Sequence, residues 1–232
     1  MKKVLFILLT LIISGCASHT NDKLEDLIDI ISEKQNDIVF KDLNNCLEFD
    51  PEAKLIFDTK AKIDESQLQL IKLVDFYYSS EDLSTTLNFT NYILKFYAFG
   101  ETKTSTNEIF KGTIQHLMDF LSTDKANDTE YQSFKRLVIN NDEQILDTQT
   151  SLLRDLTAYQ DHQKTLSGVL EDVLTFVTNK DLKGAAERFK GDDVQQYYLE
   201  AAHVLNSYYD YLVSRAVSIK NSYELYKSKN GN

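Results

Sequence analysis

Cysteine, proline and glycine are all scarce here, at two, one and seven in 232 residues. Two cysteines cannot build the disulfide framework of a small secreted scaffold. So little proline and glycine removes most of the turn punctuation that β-rich folds require, and few alternating apolar runs are left once helical periods are marked. The fold class is therefore all-α. Beyond residue 13 no segment approaches the ~20 consecutive apolar residues of a membrane-spanning helix. The richest windows, 68–78 and 92–99, are interrupted by Lys72, Asp75 and Lys95. Also missing are a Gly-x-Ser-x-Gly elbow, a local Cys–His signature and a glycine-rich phosphate loop. The chain is accordingly read as a non-enzyme without cofactor.

What is present begins at the first residues. Met1-Lys2-Lys3 is followed by the apolar run Val4 to Ile13 and then by Ile13-Ser14-Gly15-Cys16. A basic start, a hydrophobic stretch too short to span a bilayer and small residues at a cut site make a processing signal rather than an anchor helix. Ending on cysteine, it resembles a bacterial lipoprotein signal. The resemblance implies that residues 1–15 are removed, that Cys16 is diacylated and N-acylated, and that residues 16–21 form a short tether to a single helical domain over 22–232. It also implies that Ala17, where aspartate would retain an enterobacterial lipoprotein in the inner membrane, sends this one to the outer membrane, facing the periplasm. Several acyl chains, each contributing ~0.8 kcal/mol per buried CH2, make such attachment permanent.

Acid dominates the remainder. Removing Lys2 and Lys3 with the signal takes the formal charge from −11 to −13, a balance that repels phosphate backbones and anionic headgroups. It excludes nucleic acid as a partner, disfavours a domain lying flat on a membrane and favours a basic protein partner. Cys46, the only thiol left, lies among Leu43, Leu47 and Phe49 and reads as buried and inert.

Helix starts are written locally. Asp50-Pro51-Glu52 places a capping carboxylate before a proline at the first helical position. Ser105 to Glu108 and Asn127 to Glu130 resemble capping boxes, and Asp64 to Gln67 and Ser79 to Asp82 are weaker versions. The patterns predict helices over 22–35, 37–48, 51–60, 65–78, 81–99, 106–122, 128–179 and 192–228, with two subdomains possible at 22–123 and 127–232. Tyr131, Val138, Ile145, Leu152, Tyr159, Leu166 and Val173 recur every seven residues, as do Tyr198, Leu205, Leu212, Ile219 and Tyr226. Two such helices joined by 179–191, with a short turn of helix around Asp181 to Phe189, should form a long antiparallel coiled-coil-like hairpin in an elongated helical bundle. A straight helix over 128–179 would be ~78 Å long, and a bend is expected at the poor helix formers Asn140-Asn141-Asp142.

Candidate chemistry is thin. Glu200 and His203, three apart on one helix face, have a metal-ligand spacing, but a di-iron bundle needs a second such pair and none exists, so no metal is assigned. The last helix carries seven tyrosines, and Tyr197, Tyr208 and Tyr211 fall outside the tight seam row. They are the candidate protein-binding residues, since aromatic side chains offer large contact area at small entropy cost. The expected function is that of a membrane-anchored adaptor, in a narrower version an inhibitor or immunity protein. The alternative is a structural envelope protein that self-associates through the hairpin.

Overall fold

A computed structural model describes residues 38–79 and 129–230. The signal segment, Cys16 and the expected helices over 22–35, 81–99 and 106–122 lie outside the described residues. Within them every regular element is helical: α1 (Val39–Leu43), continued by a 3-10 turn (Asn44–Cys46), α2 (Pro51–Ser79), α3 (Glu130–Asn140), α4 (Glu143–Thr178), α5 (Leu182–Phe189) and α6 (Asp192–Asn230). The all-α helical bundle expected from composition is thus the observed fold.

Helix α6 is the axis on which the others pack. Its 39 residues extend ~58 Å at 1.5 Å per residue, and α1, α2, α3 and α4 all lie against it. With neighbours on several sides, α6 buries far more than one stripe. Val194, Tyr197, Tyr198, Ala201, Ala202, Val204, Leu205, Tyr208, Tyr209, Tyr211, Leu212, Ala216 and Ile219 are all buried, as expected of a helix enclosed in a bundle rather than lying on its surface.

The long helix expected over 128–179 is interrupted. Asn141 leaves helical geometry at φ −106°, ψ 8°, and Asp142 is extended at φ −89°, ψ 103°. The Asp142 carboxylate accepts the backbone N–H groups of Gln144 (3.1 Å) and Ile145 (3.4 Å), so the residue after the C-cap of one helix caps the next. The interruption shifts the buried face. Val138, expected in the seam, is only partly buried, and α3 instead buries Tyr131, Gln132, Lys135 and Ile139. Thr129 caps α3, accepting the N–H of Gln132 at 3.2 Å.

Two predicted helices prove to be one. Residues 51–60 and 65–78 were expected to be separate, yet α2 runs unbroken through them. Ala53, Ile56, Ile63 and Leu70 form one buried stripe across the supposed boundary. Asp64 accepts from Lys60 Nζ one turn earlier (2.6 Å) rather than capping a new start. Packing of a continuous apolar face outweighs a weak cap signal. The expected helix over 37–48 is shorter, an α-helical turn that tightens to 3-10 at Asn44.

The hairpin forms as expected. Ile145, Leu152, Leu156, Tyr159, Leu166 and Val173 of α4 are buried, as are the Tyr198, Leu205, Leu212 and Ile219 layers of α6. Val177, four residues beyond the last buried layer at Val173, is exposed where α4 ends. There the Asp181 N–H bonds the Phe176 carbonyl (2.9 Å) and the Lys180 N–H bonds that of Val177 (3.0 Å), a Schellman turn with Lys180 at φ 63°. Asp181 caps α5 through the Gly184 N–H (2.9 Å). A Cβ at Gly184 would stand 2.5 Å from an Asp181 carboxylate oxygen, so a side chain there would push the cap aside.

Candidate functional site

Two polar ties cross the hairpin seven residues apart: Thr148 Oγ1 meets Ser214 Oγ at 2.8 Å, and the Ser207 hydroxyl donates to Asp155. One heptad further, His162 Nδ1 contacts the Ala158 carbonyl at 3.0 Å and stands 4.0 Å from Glu200 Oε1, beyond hydrogen-bond distance. The seam leucines lie between these pairs, so the ties hold the register that an apolar seam alone leaves free to slide. Glu200 is therefore turned toward His162 and also accepts from Gln196 Nε2 (2.7 Å), whereas His203, its sequence-predicted companion, is exposed. Among the described residues no group of three or more His, Cys, Asp or Glu side chains could hold a metal ion.

Charge is concentrated instead where α1, α2, α3 and α6 converge. Asp50, fully buried, caps α2 by accepting the Glu52 N–H at 3.0 Å. Its carboxylate also accepts from Tyr131 Oη (3.0 Å) and from Lys135 Nζ, which reaches both oxygens at 2.9 Å. Lys135 donates a further bond to Glu52 Oε2 (2.9 Å), and the other Glu52 oxygen takes Nε (2.8 Å) and Nη2 of Arg215. The result is a neutral chain of two acids and two bases, with Lys135 only 5% exposed.

The electrostatics follow from burial and pairing. Desolvation pushes the Glu52 carboxyl upward, but Arg215 and then Lys135 overcome it and hold its pKa below the ordinary value. The Tyr131 phenol is pushed far up, first by burial and then by the adjacent Asp50 carboxylate. Burial raises Tyr211, with Arg215 opposing. Cys46 is buried as expected, and burial followed by Asp50 raises its thiol. Each ionised member has an opposite charge within bonding distance, so this cluster fastens three stretches of chain rather than presenting a reactive group.

The tyrosine assignment needs correction. Tyr197 and Tyr208 are 0% exposed and Tyr211 is 3% exposed, so none is presented to a partner. Tyr197 hydrogen-bonds Tyr159 hydroxyl to hydroxyl at 2.8 Å, with rings 5.4 Å apart. The expectation failed because it allowed α6 one covered face, whereas the bundle covers several.

The accessible aromatic surface lies at the C-terminal end of α6. Phe49, 45% exposed, is the only aromatic among the large apolar side chains left exposed in the described residues. Its ring packs 4.6 Å from Tyr131, 5.2 Å from Tyr223 and 6.2 Å from Tyr226, and Tyr226 reaches Phe134 at 6.0 Å. Lys227 sits over Tyr223 at 5.9 Å and Lys229 over Phe134 at 5.1 Å. The heptad spacing places Tyr226 in the seam and gives Phe49 and Phe134 no surface role. The available signal was that the seam rows of α6 run beyond the point where α4 begins. No family model, curated protein or solved structure matches the chain.

Proposed function

We propose that this chain is a bacterial envelope lipoprotein, held by acylated Cys16 and most simply placed on the periplasmic face of the outer membrane, whose helical domain is a non-enzymatic protein-binding or adaptor module. One observation carries the anchor: Lys2-Lys3, the apolar run to Ile13 and the small residues Ser14-Gly15 lead directly to Cys16. No helix among the described residues is long and apolar enough to cross a membrane, which is compatible with attachment through lipid. The charge cluster pairs each of its ionised members with an opposite charge, which suits a role in holding the fold. The acidic surplus favours a basic partner, including the narrower case of an inhibited toxin or hydrolase.

Incorporation of labelled fatty acid into the wild-type chain, lost in Cys16→Ser, tests the anchor. An unlabelled chain in the soluble fraction overturns it. For the rival reading, self-association through the hairpin, the relevant observation is that Leu152, Leu166, Leu205 and Leu212 are buried within one chain. A concentration-dependent dimer in sedimentation that Leu212→Ala dissolves would favour that rival.

A further inference from the structure

We propose that the aromatic end of the bundle, formed by Phe49, Phe134, Tyr223 and Tyr226 with Lys227 and Lys229, rests end-on in the headgroup region of a bilayer. This rests on the reading of Cys16 as a lipid anchor, which keeps a membrane within reach of the domain.

The composition of the patch suits that medium. Tyrosine and phenylalanine side chains offer an apolar ring, in tyrosine with a polar tip, and such rings concentrate where hydrocarbon meets water. Phe134, Tyr223 and Tyr226 are each half-buried, with the exposed Phe49 among them. Leu137, one turn beyond Phe134, is 67% exposed and extends the apolar surface along α3. Lysines stacked on the rings can lay their stems along apolar surface and put their ammonium groups among phosphates. From Leu225 to the last residue the chain carries Lys227 and Lys229 and no acidic side chain, in a protein otherwise dominated by acid.

Charge also selects the orientation. A surplus of −13 opposes broad contact with anionic lipid, and Glu48, Glu130 and Glu224 near the patch limit its extent. Contact confined to one helix end, where α6 closes in cations, is what such a balance permits. A protein partner would instead be expected to meet the acidic flanks.

The absence of tryptophan makes the test direct, because one introduced tryptophan is the sole indole. Full-length chains carrying Phe49→Trp, Tyr226→Trp or Phe176→Trp would be reconstituted in phosphatidylethanolamine–phosphatidylglycerol vesicles with brominated acyl chains. Phe176 lies at the hairpin turn, where the Asp181 N–H bonds its carbonyl, ~50 Å along α6 from Tyr226. The expected result is that the Phe49 and Tyr226 reporters lose most of their emission and shift to the blue, while the Phe176 reporter is unchanged. Adding Lys227→Glu and Lys229→Glu should restore emission. Melting curves confirm that each variant is folded, and two reporters guard against one that is not. Quenching at neither patch position, or equally at Phe176, overturns the proposal; the former is what a protein covering the patch would produce. The mass of the purified chain reads the anchor separately. If no acyl group is found, that reading fails, and quenching on added vesicles still decides whether the patch meets lipid.

Discussion

The two ends of α6 are held by opposite means. Toward its start, α6 pairs with α4 through layers of Tyr159, Leu166, Tyr198 and Leu205, with the Tyr159–Tyr197 and Ser207–Asp155 hydrogen bonds crossing between them. Farther along, α1, α2 and α3 are fastened to it by a buried run of charges, Asp50, Lys135, Glu52 and Arg215. An apolar seam gains from area removed from water and loses in proportion to what is trimmed. A buried charge network has little net stability to contribute, because desolvation offsets attraction, yet it fails badly when one member is removed. The first end should bend under mutation and the second should break.

The largest effect is therefore expected at Lys135. Lys135→Ala leaves Asp50 and Glu52 buried with only Arg215 to offset them, and should cost ~3–5 kcal/mol in urea unfolding. Leu212→Ala, in a fully buried seam layer, should cost ~2–5 kcal/mol depending on how far its neighbours close in. A more discriminating comparison combines Lys135→Met with Asp50→Asn, which leaves the Glu52–Arg215 pair intact. Removing the acid with its base should recover much of the loss, whereas no second seam substitution should rescue Leu212→Ala. If the double variant were no better than Lys135→Ala, the contrast between the two ends would collapse.

The two ends also differ in how much of them is legible in the sequence. The hairpin was legible because it obeys one period: heptad spacing named Leu152, Tyr159, Leu205 and Leu212, and all are buried. The Asp50 cap was legible as well, since aspartate before proline and an acid is a local signal. What was not legible is that Lys135 and Arg215, 85 and 163 residues from their partners, meet this cap. Charge pairs over such separations leave no periodic trace, and Lys135 reads as an ordinary solvated lysine. Tyr197, Tyr208 and Tyr211 failed for the related reason that period alone reports one face, and α6 has several covered. The break at Asn140 was visible in propensity, but its effect on phase, Ile139 replacing Val138, depends on the dihedrals of Asn141 and Asp142.

Smaller effects sharpen the contrast through pH. The Glu52 carboxyl is held below its ordinary 4.5, so the stability it contributes is complete above pH 4.5 and is lost as pH falls through its depressed native value. At the alkaline side, Cys46, Tyr131 and Tyr211 are raised above their ordinary 9.0, 10.0 and 10.0. Stability should be complete below pH 9 and decline as pH climbs beyond it, because the unfolded chain ionises first. Urea midpoints from pH 3 to 11 should show both limbs, with Glu52→Gln flattening the acid one and Leu212→Ala lowering the curve without changing its shape. Lys180→Gly should stabilise by ~1 kcal/mol, since a side chain at φ 63° is strained where glycine is not.

The smallest effect is expected at His203, where the sequence offered its only metal spacing. His203 is exposed on α6, and Glu200 is engaged by Gln196 and faces His162 across the hairpin. Nothing is left unpaired when an exposed imidazole is truncated, so His203→Ala should change stability by no more than ~0.5 kcal/mol. Removing Glu200 should cost more, because its carboxylate is mostly buried and accepts from Gln196 at 2.7 Å. Melting temperatures of wild type, His203→Ala and Glu200→Ala, each with and without a chelator, separate the readings. A metal-free flank predicts Glu200→Ala below His203→Ala and no response to chelator. A metal held by the pair predicts that the two variants fall together and that chelator lowers only the wild type, and that result would move the functional centre of the domain from its charged and aromatic end to the flank of the hairpin.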